Sequence, residues 1–257
     1  MKLGYDTENS LFSFFCSYNQ FNDAMPLFAI SLFINILFWI YIIRKYDRFE
    51  REPFMTVLGV MLAGGFMSSL PAGLLNHFVG SVLGYNHEHW MNDGLNLQKI
   101  MLFYGFVGLN EEFLKAAVTI ILVRNLKQFN EPADALVYSM SVALGFSAFE
   151  NVQYMLDYGY LTFVVRQFNA VPLHIGLAAI WGVGIAKAKY LYTGRYFSIV
   201  VFYVLFAAFI HGLYNVMASW AQFPFLGLLL NSGIGLAMIV LATRLVKKYA
   251  ESGPFRQ

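Results

Sequence analysis

Seven stretches of this chain, at about residues 26–43, 54–79, 99–123, 134–157, 161–186, 198–218 and 225–246, are apolar over lengths that can cross a bilayer. Lipid offers a spanning backbone no hydrogen-bond partner, so such stretches must fold as helices that satisfy their own amides. The expectation is an all-α fold: a polytopic integral membrane helical bundle of about seven transmembrane helices. Only 12% of residues are charged, against about 25% in an ordinary soluble domain. Residues 1–257 are therefore expected to form one integral membrane domain. The net charge of +2 is spread along the chain and suggests no nucleic-acid partner. A lone Cys16 excludes an internal disulfide framework and CxxC metal chemistry.

Cytoplasmic loops of membrane proteins collect lysine and arginine, and this sets the orientation. With the N-terminus outside, the inner loops hold Arg44, Lys45, Arg48, Arg51, Arg124, Lys127, Lys187, Lys189, Arg195, Arg244, Lys247, Lys248 and Arg256, thirteen of the seventeen basic residues. The expected topology is N-out, C-in. The first residues, MKLGYDTENS, carry acids where a signal peptide would carry lysines, so the first span is expected to be retained. Residues 1–25 then form an extra-cytoplasmic segment, in which SLFSFFCSY (10–18) is too short to span and reads as an interfacial element.

An ionisable residue at bilayer depth costs about 2.5–3.5 kcal/mol on insertion scales, so each one asks for a reason. Glu111, Glu112 and Lys115 interrupt the third stretch. Counting 1.5 Å per helical residue from the inner ends puts Glu111, Glu112, His174 and His211 at about 20 Å and Glu150 at about 25 Å. Four helices thus bring glutamates and histidines to one depth. Tyr154 lies one turn from Glu150, and Asn215 one turn from His211. Simpler readings compete: Lys115 can pair with Glu111 or Glu112 within one helix, and a single histidine can serve helix packing. Arg166 is expected to snorkel to the outer interface, with pairing to a carboxylate as the alternative, and Asp134, after Pro132, to start a helix. The loop residues His87, Glu88 and His89 read as solvated surface. Gly64, Gly65, Gly182 and Gly184 mark close helix approaches.

The strings NEEFLK (Asn110–Lys115) and FENVQY (Phe149–Tyr154), with His174 and HGLYN (His211–Asn215) following in order and YDRFEREP (46–53) preceding them, resemble the PrsW-type intramembrane proteases. A more distant similarity extends to the CAAX prenyl endopeptidases and the membrane scaffold subunit of gamma-secretase. Lysine rather than arginine after the glutamate pair, and Glu150 rather than a histidine, favour the PrsW branch. The resemblance implies regulated proteolysis: site-1 cleavage of an anti-sigma-factor-like, single-span membrane protein, in a bacterial plasma membrane.

Hydrolysis of an amide needs an activated water, a proton for the leaving amine and a partner for the oxyanion. Glu111 or Glu112 is expected to activate the water with Glu150 assisting or positioning it, while His174 and His211 bind the oxyanion or shuttle protons. Lys115, Phe149, Tyr154 and Asn215 support them. No cofactor is expected; zinc is the alternative, held by Glu112, Glu150, His174 and His211 without any HExxH helix to specify it. A proton-coupled carrier would also gather such residues but usually shows inverted repeats, and none is visible. A helix-binding scaffold has little reason to bury so many ionisable groups. The expected partners are the substrate's spanning helix and the lipid bilayer.

Overall fold

A computed structural model describes residues 7–45, 47, 50–85, 97–191, 193–219 and 224–251. Its helices are α1 (Thr7–Lys45), α2 (Phe54–Leu83), α3 (Leu97–Val123), α4 (Pro132–Tyr158), α5 (Tyr160–Arg166), α6 (Ala170–Tyr190), α7 (Tyr196–Ala218) and α8 (Pro224–Ala250), with a 3-10 turn at Thr193–Arg195. No strand occurs among the described residues, so the chain is an all-α membrane bundle as expected. Six helical segments are long and apolar enough to cross a membrane: Met25–Lys45, Phe54–Leu83, Pro132–Tyr158, Tyr160–Tyr190, Tyr196–Ala218 and Gly227–Ala250. The remaining stretch, α3, has 27 residues and hence the length, but carries Lys99, Glu111, Glu112 and Lys115.

Two boundaries differ from the sequence reading. Residues 10–18 are not a separate element, because α1 runs unbroken from Thr7 through them to Lys45. The stretch 161–186 is not one helix. Gly159, at φ 83°, ends α4 in a conformation that favours glycine; the short α5 follows, and Asn169 caps a new helix with Pro172 in its first turn.

α6 is the axis of the bundle, and residues 169–186 are all buried. Its small residues let neighbours approach closely: Gly176 meets Met238 of α8, Gly182 meets Ser139 of α4 and Gly184 meets Tyr203 of α7. α4 packs along it, α2 lies against α4, and α3, α7 and α8 complete the surround. Small residues set the spacings. A Cβ added to Gly145 of α4 would stand 2.0 Å from the Met61 carbonyl oxygen and 3.0 Å from the Gly65 Cα of α2. The two backbones therefore touch, as the glycines at 64 and 65 suggested. Asp134 does start α4, accepting hydrogen bonds from the amides of Asn130 (2.8 Å) and Glu131 (2.7 Å).

Candidate active site

α3 passes between α2 and α7, so that residues on two of its faces are covered. Glu111 and Glu112 point about 100° apart on the helix, yet both are enclosed, at 4% and 0% exposure. They are used differently. Oε1 of Glu112 accepts from Lys115 Nζ at 2.5 Å and lies 2.8 Å from His211 Nδ1; its Oε2 accepts from the Trp181 indole at 2.9 Å. Three donors surround one carboxylate. The carboxylate can only accept, so His211 carries its proton on Nδ1.

His174 sits one turn into α6. Its Nδ1 is 3.0 Å from Lys115 Nζ, and its Nε2 is 3.0 Å from Glu150 Oε2. An ammonium only donates, so Nδ1 accepts and Nε2–H donates to Glu150: His174 is the neutral Nε2–H tautomer. The same Glu150 oxygen accepts from Arg166 Nη2 at 2.6 Å, while Arg166 Nε donates to Asn151 Oδ1 at 2.6 Å. The guanidinium lies 3.7 Å over the Tyr154 ring. Arg166 does not snorkel. The break after α4 folds α5 back so that its last residue turns inward to a carboxylate, which at this depth outweighs the interface.

Glu111 lies buried beside these groups. Oε1 accepts from Asn76 Nδ2 at 3.1 Å. Oε2 is buried and, among the described residues, accepts no hydrogen bond; it lies 3.8 Å from His211 Nε2 and 3.9 Å from Lys115 Nζ. The His174 and His211 rings meet edge to face with centroids 5.0 Å apart.

Glu111, Glu112, Lys115, Glu150, His174 and His211 thus converge from α3, α4, α6 and α7. Tyr154 joins them through Arg166. Phe149 does not: it is 40% exposed and packs against Phe66 of α2. Asn215 is half-buried one turn past His211, and among the described residues no hydrogen bond joins its amide to the cluster. His87, Glu88 and His89 lie outside the described residues. Asn76 and Trp181 were missed. A tryptophan deep in an apolar span was itself a signal, since a buried indole N–H seeks an acceptor.

For a metal, the donor atoms that gather within 4.8 Å of one another are those of Glu111, His174 and His211. This differs from the set drawn from the sequence, because Glu112 is taken up by Lys115 and Trp181, and Glu150 by Arg166. Two imidazoles and a carboxylate with a bare oxygen fit zinc by type and number, with a fourth position left for water. Binding would require His174 to release Lys115 or Glu150, since both its nitrogens are engaged.

A family model described as "PrsW family intramembrane metalloprotease" matches residues 52–245. "Protease PrsW" of Geobacillus kaustophilus is 29% identical over 169 residues, 66% of this chain and 69% of that protein. "Protease PrsW" of Clostridioides difficile is 28% identical over 172 residues, covering 65% and 67%, and that of Oceanobacillus iheyensis 24% over 207 residues, covering 78% and 88%. No solved structure matches the chain. The matched segment runs from Glu52, ahead of α2, to Leu245 in α8 and contains every residue of the cluster, so the chain belongs to the PrsW family of intramembrane proteases.

Proposed function

We propose that this chain cuts a single-span membrane protein within the bilayer, with Glu111 as the general base that activates water. The observation that carries this reading is the asymmetry of the glutamate pair. Glu112 is saturated by Lys115, Trp181 and His211, whereas Glu111 keeps a bare, buried oxygen beside a histidine nitrogen. A base must have a lone pair free for the proton it takes.

In this mechanism Oε2 of Glu111 removes a proton from water as the water oxygen bonds to the scissile carbonyl carbon. His211 Nε2, 3.8 Å away, receives that proton and delivers it to the leaving amine as the C–N bond breaks. While protonated, the imidazolium is paired with Glu112 and presents positive charge to the oxyanion. His174 is held by Lys115 and Glu150 and closes the far wall. In this reading Glu150 orients His174, through Oε2 at 3.0 Å from Nε2, rather than acting on the water itself. Burial of the cluster excludes bulk water, which strengthens each of these interactions.

The convergence of Glu111, His174 and His211 supports a second reading, in which these three hold zinc. Bound zinc would supply Lewis-acid polarisation and a more acidic water. The engagement of both His174 nitrogens favours the metal-free form, and no cofactor is proposed. By resemblance the substrate is an anti-sigma-factor-like protein and the membrane a bacterial plasma membrane; the partners are the substrate's spanning helix and lipid, with no nucleic acid. A carrier or an inert scaffold fits poorly with membership of a protease family.

The test is cleavage of a purified single-span substrate by the detergent-solubilised protein. Glu111→Gln abolishes cleavage while the protein stays folded; full cleavage by that variant would refute the role of Glu111. Stoichiometric zinc, with activity lost on chelation and regained on zinc addition, would replace the metal-free reading.

A further inference from the structure

Beyond the six converging residues, a second polar chain reaches Glu111 from the opposite side. Asn110 Nδ2 donates to the Ala72 carbonyl at 3.1 Å and to Asn76 Oδ1 at 2.8 Å, and Asn76 Nδ2 donates to Glu111 Oε1 at 3.1 Å. Asn110 is buried and Asn76 half-buried on the apolar α2. We propose that Asn76, locked by Asn110, is a positioning residue that fixes which oxygen of Glu111 does the chemistry. The proposal rests on the reading of Glu111 as the working carboxylate.

The chain has a fixed direction. A backbone carbonyl only accepts, so the Asn110 group on Ala72 is its NH2. The same NH2 reaches Asn76, so the Asn76 atom facing it is the carbonyl oxygen. That leaves the Asn76 NH2 turned to Glu111. The amide orientations, otherwise ambiguous, follow from the anchor at Ala72.

The consequence for Glu111 is an inequality between two chemically equivalent oxygens. Oε1 faces an N–H and cannot hold a proton there without setting donor against donor. Oε2, toward His211 and Lys115, is the oxygen left unengaged for the proton taken from water. The same bond fixes the carboxylate plane, which an unsupported glutamate with three rotatable bonds would not keep. Because Asn110 directly precedes Glu111, the anchor and the group it orients share one helical turn.

A plain interhelical hydrogen bond is the competing role for this pair, and two variants separate the two. Asn76→Leu keeps the size and suits the apolar surround; Asn76→Asp keeps the shape but offers no donor. Positioning predicts that Asn76→Leu loses about tenfold in kcat, the worth of one hydrogen bond to a charged group, with KM unchanged. Asn76→Asp loses more, because a carboxyl group then faces Glu111. A direct contact further predicts that adding Glu111→Gln to Asn76→Asp restores the thermal stability that Asn76→Asp loses, by exchanging donor and acceptor, while cleavage stays absent.

An unchanged kcat in Asn76→Leu, or a fall that merely follows the amount of folded protein, overturns the proposal. So does an absence of stability coupling between positions 76 and 111. Failure of the underlying reading is distinguishable, since it shows as full cleavage by Glu111→Gln with Asn76 intact. Should Asn76→Asp not accumulate, the kcat of Asn76→Leu decides alone.

Discussion

Replacing Lys115 by methionine removes the one cation that touches both halves of the cluster. Its Nζ is 2.5 Å from Glu112 Oε1 and 3.9 Å from Glu111 Oε2. At an effective dielectric constant near 20, these distances correspond to gross attractions of about 7 and about 4 kcal/mol. Desolvation offsets much of this, and removal of one partner from a buried pair costs about 3–5 kcal/mol net. For a chain of this size that is a fall of about 10 °C in the unfolding midpoint. The distances also say where the damage can be repaired. The charge stranded by Lys115→Met is that of Glu112, so Lys115→Met with Glu112→Gln should regain most of the lost stability, and Lys115→Met with Glu111→Gln much less. The assay is thermal unfolding of the three variants in one detergent. A single variant that unfolds within a degree or two of the parent, or a repair by Glu111→Gln that equals the repair by Glu112→Gln, would refute the assignment of Lys115 to Glu112.

Arg166→Leu leaves Glu150 held by His174 alone, and cleavage should fall about tenfold; Arg166→Lys should recover part of it, and equal activity in Arg166→Leu and the parent would remove Arg166 from the site. Gly145→Ala forces a methyl group against the Met61 carbonyl and should cost about 1–3 kcal/mol or more in unfolding experiments. Gly59, whose added Cβ meets nothing within 4 Å, is the control, and Gly59→Ala should stabilise by about 0.5–1 kcal/mol. Outside the spans, burial pushes the carboxyls of Asp47, Glu131 and Glu52 up to about 6, 8 and 9; neighbouring carboxyls add to the shift, and Glu52 also accepts a bond from the Tyr138 hydroxyl. Folded, these groups hold their protons to higher pH than the range near 4–4.5 in which they ionise when unfolded, so stability should be greatest below that range and decline as pH rises toward 9. Glu52→Gln should flatten the upper part of this decline, and an unaltered pH profile of the unfolding midpoint would contradict it.

Much of the site was legible because depth can be counted along a helix. Glu111, Glu112, Glu150, His174 and His211 are costly in lipid and lie at similar distances from the inner ends, and in the structure they meet. Counting failed where helix ends are not level. Asn76 is about 33 Å along α2, whereas Glu111 is about 18 Å from the end of α3, and yet the two are hydrogen-bonded. Arg166 was misread because sequence alone does not reveal that the segment after Gly159 breaks again at Asn169, turning a residue near the surface toward the interior. The roles of the two glutamates could not be divided from spacing, since the division is made by Trp181 of α6 and Asn76 of α2, far away in the chain.

The contact of Gly65 with Gly145 acts as the fulcrum of a lever. No side chain cushions it, so α2 and α4 cross there backbone to backbone. Asn76 lies about 16 Å beyond it on one arm and Glu150 about 8 Å beyond it on the other. A change of about 5° in the crossing angle would carry Asn76 some 1.4 Å and Glu150 some 0.7 Å, and the first exceeds the tolerance of a hydrogen bond. A bilayer that is too thin or too thick, by tilting one helix against the other, would therefore reach the glutamate through geometry alone.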